Sequence, residues 1–317
     1  MIEGFDILNE AINDYIIGAN ITGIEDLDFL NALNNIILNS KEVYFDYKSA
    51  KKYSLKESDK LVKEFLDYLN PYYREYYEKR VEDGTIIFDT NVKEDCYAFS
   101  SYDPINKKRI IYIPVYYNLH DSYAIIHELM HDINMDVNME SLARFFYTEG
   151  MSLLAELLYK DFLKEKNIKQ YEQPINRTFY ELKSKAIEVD FNIKLIDKYL
   201  KDGYIDVDNI VDILDNYPNN YASTLQEITD KIMYEEKLTL DQEQPYIIGG
   251  LIATYMYDRI KNNKTNILEL FELNQMLKHY NYSQVLEYLD FDIEDGNITK
   301  KSFKQLEEKY KKYLKSR

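Results

Sequence analysis

The stretch that decides the fold covers residues 109–134 and reads RIIYIPVYYNLHDSYAIIHELMHDIN. It begins as a β-like apolar run and ends with the pentapeptide HELMH at residues 127–131. On a helix, residues four apart share a face, so the imidazoles of His127 and His131 can reach one metal ion. Glu128 lies on the same turn, where it can hold a water beside that ion. The stretch therefore predicts a metal-binding helix that follows a strand.

Histidine and cysteine are scarce, which limits the possible metal ligands. The chain has 4 histidines and 1 cysteine, Cys96, in 317 residues. This composition excludes a cysteine-based zinc cluster and an internal disulfide. No histidine follows His131 at the spacing of the extended motif, and the only later one is His279, far along the chain. A carboxylate from the next helix is therefore the natural third ligand.

Three carboxylates are candidates for that third position. A catalytic zinc ion takes three protein ligands and keeps a fourth position open for water or substrate. Glu140 lies close to the turn after the metal helix and would have to fold back sharply. Glu149 lies one antiparallel helix traverse away, opposite the metal face. Glu156 lies on the same face as Glu149, two turns farther along.

Other residues near the motif have more than one interpretation. Glu156 either orients a ligand histidine from behind or pairs with Lys160, four residues later on the helix surface. His120 precedes the motif, and we expect it to be exposed at the start of the helix and not to bind the metal. Gly150 inside a helix costs about 1 kcal/mol relative to alanine, which favours a close approach to the metal helix there.

The chain as a whole is predicted to be mainly α with a small β-sheet, an α+β fold with a zincin-like catalytic domain and helices elsewhere. Apolar residues recur at helical spacing, and glycine and proline are few. Helices are predicted over residues 5–18, 25–38, 57–81, 121–134, 139–166, 175–200, 220–235, 246–262, 265–279 and 298–315. Three β-like runs, at residues 85–88, 97–100 and 109–113, come directly before the metal helix.

The last of these strands has two interpretations. In zinc peptidases with this order of elements, an edge strand above the metal helix pairs with the extended substrate through main-chain hydrogen bonds. The strand over residues 109–113 is the candidate for that edge. Alternatively, it only packs against the helix.

Turn and capping residues mark where elements end. The segment 101–108 contains Asp-Pro and Asn, and predicts the turn between the second and third strands. Asp121 or Ser122 is expected to cap the metal helix at its N-terminus. Pro245 suits the first turn of the helix predicted after it.

Within the next helix, the sequence resembles a known family. The run EGMSLLAELL over residues 149–158 is similar to the Glu-x-x-Ser-x-x-x-Glu-Leu-Leu run of the thimet-oligopeptidase and oligoendopeptidase family. The resemblance implies a gluzincin-type zinc metallopeptidase with one Zn²⁺. By this match, Glu149 is the third metal ligand beside His127 and His131. The residue types of the pentapeptide make Glu128 the general base and acid.

A second segment carries a weaker resemblance to the same family. The run YIIGGLIA over residues 246–253 is similar to the tyrosine-rich segment whose side chains face the scissile carbonyl. By this match, Tyr246 would stabilise the oxyanion. The run Thr148-Glu149-Gly150 also resembles the Asn-Glu-Gly of the large zinc aminopeptidases. This second resemblance leaves two branches of the gluzincins open, and the role of Tyr246 depends on which branch applies.

The composition and the first residues limit the expected partners and the expected cellular location. The formal net charge is -17, and so acidic a chain repels phosphate backbones, so no nucleic-acid partner is expected. No run of about 18 apolar residues is present, so no membrane span is expected. The first residues lack the basic and apolar regions of a signal peptide, which together with the single cysteine predicts a cytoplasmic protein.

The leading hypothesis is a zinc-dependent peptidase that hydrolyses oligopeptides or small proteins by means of a metal-activated water. We predict an N-terminal helical region over residues 1–82 and a zincin-like catalytic region with a helical C-terminal part over residues 83–317, or one continuous domain. One alternative is a non-catalytic metal-binding or structural protein that keeps a vestigial motif. The other is a toxin or regulatory protease with a single target.

Overall fold

The computed structural model of this chain confirms the predicted fold class: its described residues form mostly helices, with a small three-stranded mixed sheet and a two-stranded antiparallel sheet. It describes residues 2–22, 27–40, 52–92, 96–103, 105, 107–134, 141–215, 217, 230, 240–262, 293–294, 297–298, 304, 307–308 and 311–312. The named helices are α1 (Ile2–Thr22), α2 (Leu27–Leu38), α3 (Leu55–Leu69), α4 (Pro71–Glu82), α5 (Leu119–Asn134), α6 (Ser141–Glu165), α7 (Gln173–Asp202), α8 (Val207–Leu214) and α9 (Leu240–Lys261). The strands are β1 (Ile86–Asp89), β2 (Phe99–Asp103), β3 (Lys108–Pro114), β4 (Ile293–Glu294) and β5 (Asn297–Ile298).

The contacts divide the chain into two compact units. Unit 1 consists of Met1–Ser40 and Glu181–Ile248, and unit 2 consists of Lys41–Tyr180 and Gly249–Arg317. The domain boundary predicted between residues 82 and 83 stays a prediction. In the part of the chain that the structure describes, no helix is both long enough and apolar enough to cross a membrane.

Unit 1 is held together by apolar packing and by buried asparagine side chains. Its buried apolar residues include Leu8, Ile12, Leu33, Ile37, Ala186, Phe191 and Ile196. Asn34 donates from its side chain to the carbonyl of Ala186 at 2.7 Å. Asn9 both donates to the carbonyl of Ile205 at 2.9 Å and accepts from its amide at 2.7 Å. Each buried amide thus joins segments that are far apart in sequence.

In unit 2, two helices replace the single helix predicted over residues 57–81. α3 ends at Leu69 and α4 begins at Pro71. Asn70 between them has an extended backbone, and its side chain accepts from the amide of Tyr72. Proline fixes its own backbone for the first turn of a helix and disfavours helical geometry in the residue before it. The Asn-Pro pair therefore ends one helix and starts the next.

The three-stranded sheet of unit 2 has the order β1-β3-β2, which corrects the prediction for the strand at 109–113. β3 pairs in parallel with β1 and antiparallel with β2. It is therefore the central strand, with both hydrogen-bonding edges occupied, and cannot take an extended peptide as a further strand. Its Ile111 and Ile113 side chains are fully buried, and α5 contacts the sheet. β3 therefore packs against α5, as the second interpretation predicted.

The ends of several elements also differ from the predictions. β2 continues to Asp103, so the predicted turn at 101–108 is shorter. α5 begins at Leu119, and Asn118 caps it by accepting from the amide of His120 at 2.8 Å. Asp121 instead reaches back to accept from the amide of Tyr116 at 3.0 Å.

The C-terminal part of the chain is only partly described. α9 begins at Leu240, so Pro245 lies inside this helix and not in its first turn. The helices predicted over 220–235 and 265–279 lie outside the described residues, except that residue 230 is helical. Of the helix predicted over 298–315, residue 298 instead ends strand β5, and residues 304, 307, 308, 311 and 312 are helical.

Candidate metal centre

Helix α5 presents the two histidines of the pentapeptide on its partly exposed side. Its other side buries Ile125, Ile126 and Leu129 completely. The side chains of His127 and His131 retain 18% and 15% exposure. The apolar face of α5 thus packs in the core. The opposite face presents the two imidazoles to helix α6.

The two imidazoles and the Glu149 carboxylate converge on one point. His127 Nε2 lies 3.0 Å from His131 Nε2. The Glu149 carboxylate oxygens lie 3.3 Å from His131 Nε2 and 3.7 Å from His127 Nε2. Atoms about 2.0–2.2 Å from a tetrahedral zinc ion lie about 3.3–3.6 Å from each other. The three side chains therefore have nearly the separation that one such ion requires.

These residues fit a divalent ion in chemistry as well as in spacing. Imidazole nitrogens and a carboxylate oxygen are common zinc ligands, and one atom from each lies within 4.8 Å of the other two. Glu149 is buried, with 7% exposure, so its charge is only weakly screened by water. Glu140, the alternative near the turn, lies outside the described residues.

Glu156 lies behind the histidine pair, where it contacts His127. Its Oε1 lies 2.6 Å from His127 Nδ1, and its other oxygen accepts from the Thr178 hydroxyl at 2.9 Å. Such a carboxylate fixes the orientation of the ring and leaves Nε2 free to face a metal. Lys160, the other partner considered for Glu156, instead donates to the Tyr257 hydroxyl at 3.3 Å.

Glu128 lies on the same helical turn in a buried position. Burial raises the pKa of its carboxyl group, the two histidines lower it, and the charges of Glu149 and Glu156 raise it further, with a net upward shift. A carboxyl group whose pKa is shifted toward neutrality can both accept and return a proton near neutral pH. This environment suits a general base that later acts as an acid.

The ring of His127 carries an unusually stable proton in the metal-free protein. Burial lowers the pKa of His127, but the hydrogen bond and charge of Glu156 and the charges of Glu149 and Glu128 outweigh it and raise the pKa to about 10. A metal ion must displace this proton, because only the neutral imidazole is a ligand. We therefore expect metal affinity to rise about tenfold per pH unit between pH 6 and 8.5, measured by competition with a chromophoric chelator.

The matched control for this pH dependence is Glu156→Gln. Glutamine keeps the shape of the side chain but removes the charge that contributes most to the raised pKa of His127. The metal affinity of the Glu156→Gln variant, measured as a function of pH, should level off at a lower pH than that of the wild type. If both proteins show the same pH profile, Glu156 does not control protonation of the metal ligand.

A buried ion pair fixes the C-terminal end of helix α5, and nothing in the sequence pattern indicated it. Asp132, directly after the second histidine, is fully buried. Its carboxylate accepts hydrogen bonds from Arg80 Nη2 at 3.1 Å and from the Tyr76 hydroxyl at 2.8 Å, and Arg80 Nε lies 3.0 Å from it as an ion pair. Arg109 of β3 donates to the Asp132 carbonyl at 3.3 Å. Helix α4 and the sheet thus hold the turn that carries His131.

His120 and Tyr246 do not belong to this group of three converging side chains. His120 is half-buried, not exposed as expected. Burial, with the charges of Arg177 and His127, lowers the pKa of His120 to about 3. Tyr246 belongs to unit 1, where the Lys185 ammonium lies 3.9 Å from the centroid of its ring. The catalytic role of Tyr246 stays a prediction.

Comparison with known proteins identifies this fold among solved structures. No protein-family profile matches the chain, and no curated protein matches it. A provisionally assigned peptidase from Chlamydophila abortus matches 98% of the chain at 17% identity, with a TM-score of 0.58. PZ peptidase A, solved with an inhibitor, matches 84% of it at 12% identity, with a TM-score of 0.59. A provisionally assigned oligoendopeptidase F from Bacillus anthracis matches 97% of it at 12% identity, with a TM-score of 0.55.

The likeness shows a shared fold. This chain spans about half the length of each structure that it matches, with coverage of 55%, 50% and 56% of those chains. The fold matches extend beyond the segments that carry the sequence resemblance. The helices that bring the imidazoles and Glu149 together are thus part of an architecture found in these proteins.

Proposed function

We propose that this chain is a zinc-dependent peptidase of the gluzincin type, with His127, His131 and Glu149 as metal ligands. One observation carries the proposal. Two imidazoles and a carboxylate from the neighbouring helices α5 and α6 converge at ligand spacing, with a buried glutamate on the same turn. The fold shared with proteins assigned as peptidases supports it.

The mechanism assigns each residue of the group one task. When bound, the ion would polarise the substrate carbonyl and lower the pKa of a water molecule toward neutrality. Glu128 accepts the proton of the attacking water and later delivers it to the amine that leaves. Glu156, held by Thr178, keeps the His127 ring in an orientation in which Nε2 would be available to the ion.

Tyr246 is the proposed donor to the oxyanion, by the resemblance of residues 246–253 alone. One such donor is typically worth about 3 kcal/mol of transition-state stabilisation. A Tyr246→Phe variant with unchanged turnover would remove this residue from the mechanism.

Metal removal is the experiment that tests the proposed function. The purified chain is stripped with a chelator and offered a mixed peptide library, and the products are identified by mass spectrometry. We expect cleavage to disappear in the stripped protein and to return after addition of about one Zn²⁺ per chain, because the water needs the ion to become a nucleophile. Restoration by Mg²⁺ alone is not expected, since Mg²⁺ prefers oxygen ligands.

Two results would contradict the proposal. Full cleavage by the stripped protein would show that the metal is not needed. A protein that binds zinc at the three ligands but cleaves no peptide in the library, nor any intact protein offered, would be the non-catalytic alternative.

A further inference from the structure

Helices α6 and α9 approach each other very closely at the proposed ligand Glu149. Gly249 of α9 lies against the backbone of α6 at this point. A Cβ atom built on Gly249 would lie 2.8 Å from Glu149 Cβ, 2.9 Å from Gly150 N and 3.1 Å from the carbonyl carbon of Glu149. Carbon atoms in contact normally lie about 3.5–4.0 Å apart. No side chain, not even that of alanine, therefore fits at Gly249 unless the two helices move apart.

The second glycine at this crossing has a different environment. A Cβ atom on Gly150 would meet Ile252 Cγ2 at 3.3 Å and the carbonyl oxygen of Gly249 at 3.4 Å. The nearest of these atoms is a methyl group of Ile252, which is farther away than the 2.8 Å between a Cβ on Gly249 and its nearest atom, and which belongs to a side chain and not to the α6 segment that carries Glu149. Gly150 thus faces α9, not the metal helix as its position in the sequence led us to expect.

The atoms that Gly249 touches have little freedom to move. On α9, Leu251, which is two residues from Gly249 and therefore lies on the other side of the helix, is 1% exposed. On α6, Ser152 is fully buried and donates its hydroxyl to the backbone carbonyl of His127 at 3.0 Å. Since both helices are packed on their other sides, a side chain at position 249 would displace the segment it strikes, which is the backbone and Cβ of Glu149.

We propose that Gly249 is a positioning residue for the metal group. Its missing side chain lets α9 lie directly against Glu149, and this contact holds the Glu149 carboxylate 3.3 Å from His131 Nε2. The inference rests on the proposed function, in which Glu149 is a metal ligand. It predicts that a residue without a side chain controls the affinity of the site.

The test compares Gly249→Ala with the matched variant Gly150→Ala, which adds the same methyl group to the same crossing. Affinity for Zn²⁺ is measured by chelator competition, and the ligand geometry by the visible absorption of the Co²⁺-loaded protein. We expect Gly249→Ala to bind Zn²⁺ at least tenfold more weakly, with a changed Co²⁺ spectrum. Gly150→Ala should stay within about threefold of the wild type.

A further control separates positioning from loss of packing. Leu251→Ala removes a buried side chain of α9 without a clash at Glu149, and should lower the Tm but leave zinc affinity and the Co²⁺ spectrum unchanged. If Gly249→Ala binds both ions as the wild type does, or loses affinity only as Leu251→Ala does, the proposal is overturned. If Gly249→Ala does not fold, Gly150→Val decides: weakened zinc binding supports the proposal, and wild-type binding overturns it.

Metal binding by the wild type distinguishes failure of this inference from failure of the proposed function. A wild type that binds zinc while Gly249→Ala binds it equally well overturns only the role of Gly249. A wild type that binds zinc but cleaves no peptide overturns the peptidase and leaves the positioning role standing. A wild type that binds no zinc overturns both.

Discussion

Replacement of Glu128 with glutamine is expected to lower kcat for peptide hydrolysis by about 10²–10⁴-fold, the usual contribution of a positioned general base. Glutamine has nearly the same shape but cannot accept the proton of the attacking water. The proposed ligands His127, His131 and Glu149 are unchanged, so the variant should still bind one zinc ion per chain. The measurement is the rate of cleavage of a peptide found in the library screen, together with the zinc content of the same sample.

The control for Glu128→Gln is Glu165→Gln, the same chemical change at an exposed position of α6. This variant should cleave as the wild type does. Equal activity of Glu128→Gln and the wild type, at equal zinc content, would show that Glu128 is not the base. Loss of both zinc and activity would instead place Glu128 among the groups that hold the metal.

The second large effect is expected from Glu149→Gln, which should weaken zinc binding by more than about 100-fold. Residues that only support a ligand typically contribute 10–100-fold to metal affinity, and a direct ligand contributes more. The amide keeps the volume of the side chain but loses the charge that attracts the ion. Zinc affinity is measured by competition at fixed pH, since the proton on His127 also competes with the metal.

The comparison variant for Glu149→Gln is Glu156→Gln, two turns along the same helix. The structure places Glu156 behind the His127 ring and Glu149 beside both Nε2 atoms. Glu149→Gln should therefore cost more affinity than Glu156→Gln. The reverse order would exchange the roles of the two carboxylates and remove Glu149 from the ligand set.

Local patterns were sufficient to predict most of the fold. The helical spacing of apolar residues predicted α5 and α6, and the β-like runs predicted the sheet before the metal helix. The pair Asn70-Pro71 carries a local signal for the break between α3 and α4, but the helical spacing of apolar residues continues on both sides of it and predicts a single helix. The order of the strands could not be read from the sequence, because pairing depends on contacts between distant segments.

The candidate site shows the same limit. Spacing placed His127 and His131 together, because four residues on a helix is a local relation. Whether Glu156 contacts His127 or Lys160 depends on how α6 is rotated against α5, which local pattern does not determine. The pair of Asp132 with Arg80 and the contact of Gly249 with Glu149 join segments more than 50 residues apart, so the sequence offered no signal for either.

The most direct test of the metal centre is X-ray diffraction from crystals of the zinc-loaded protein, with data collected on both sides of the zinc absorption edge. The anomalous difference map should show one strong peak, bonded to Nε2 of His127, Nε2 of His131 and a carboxylate oxygen of Glu149 at about 2.0–2.2 Å. A peak elsewhere in the protein would contradict the account. So would a peak at the two imidazoles with the Glu149 carboxylate turned away from the ion.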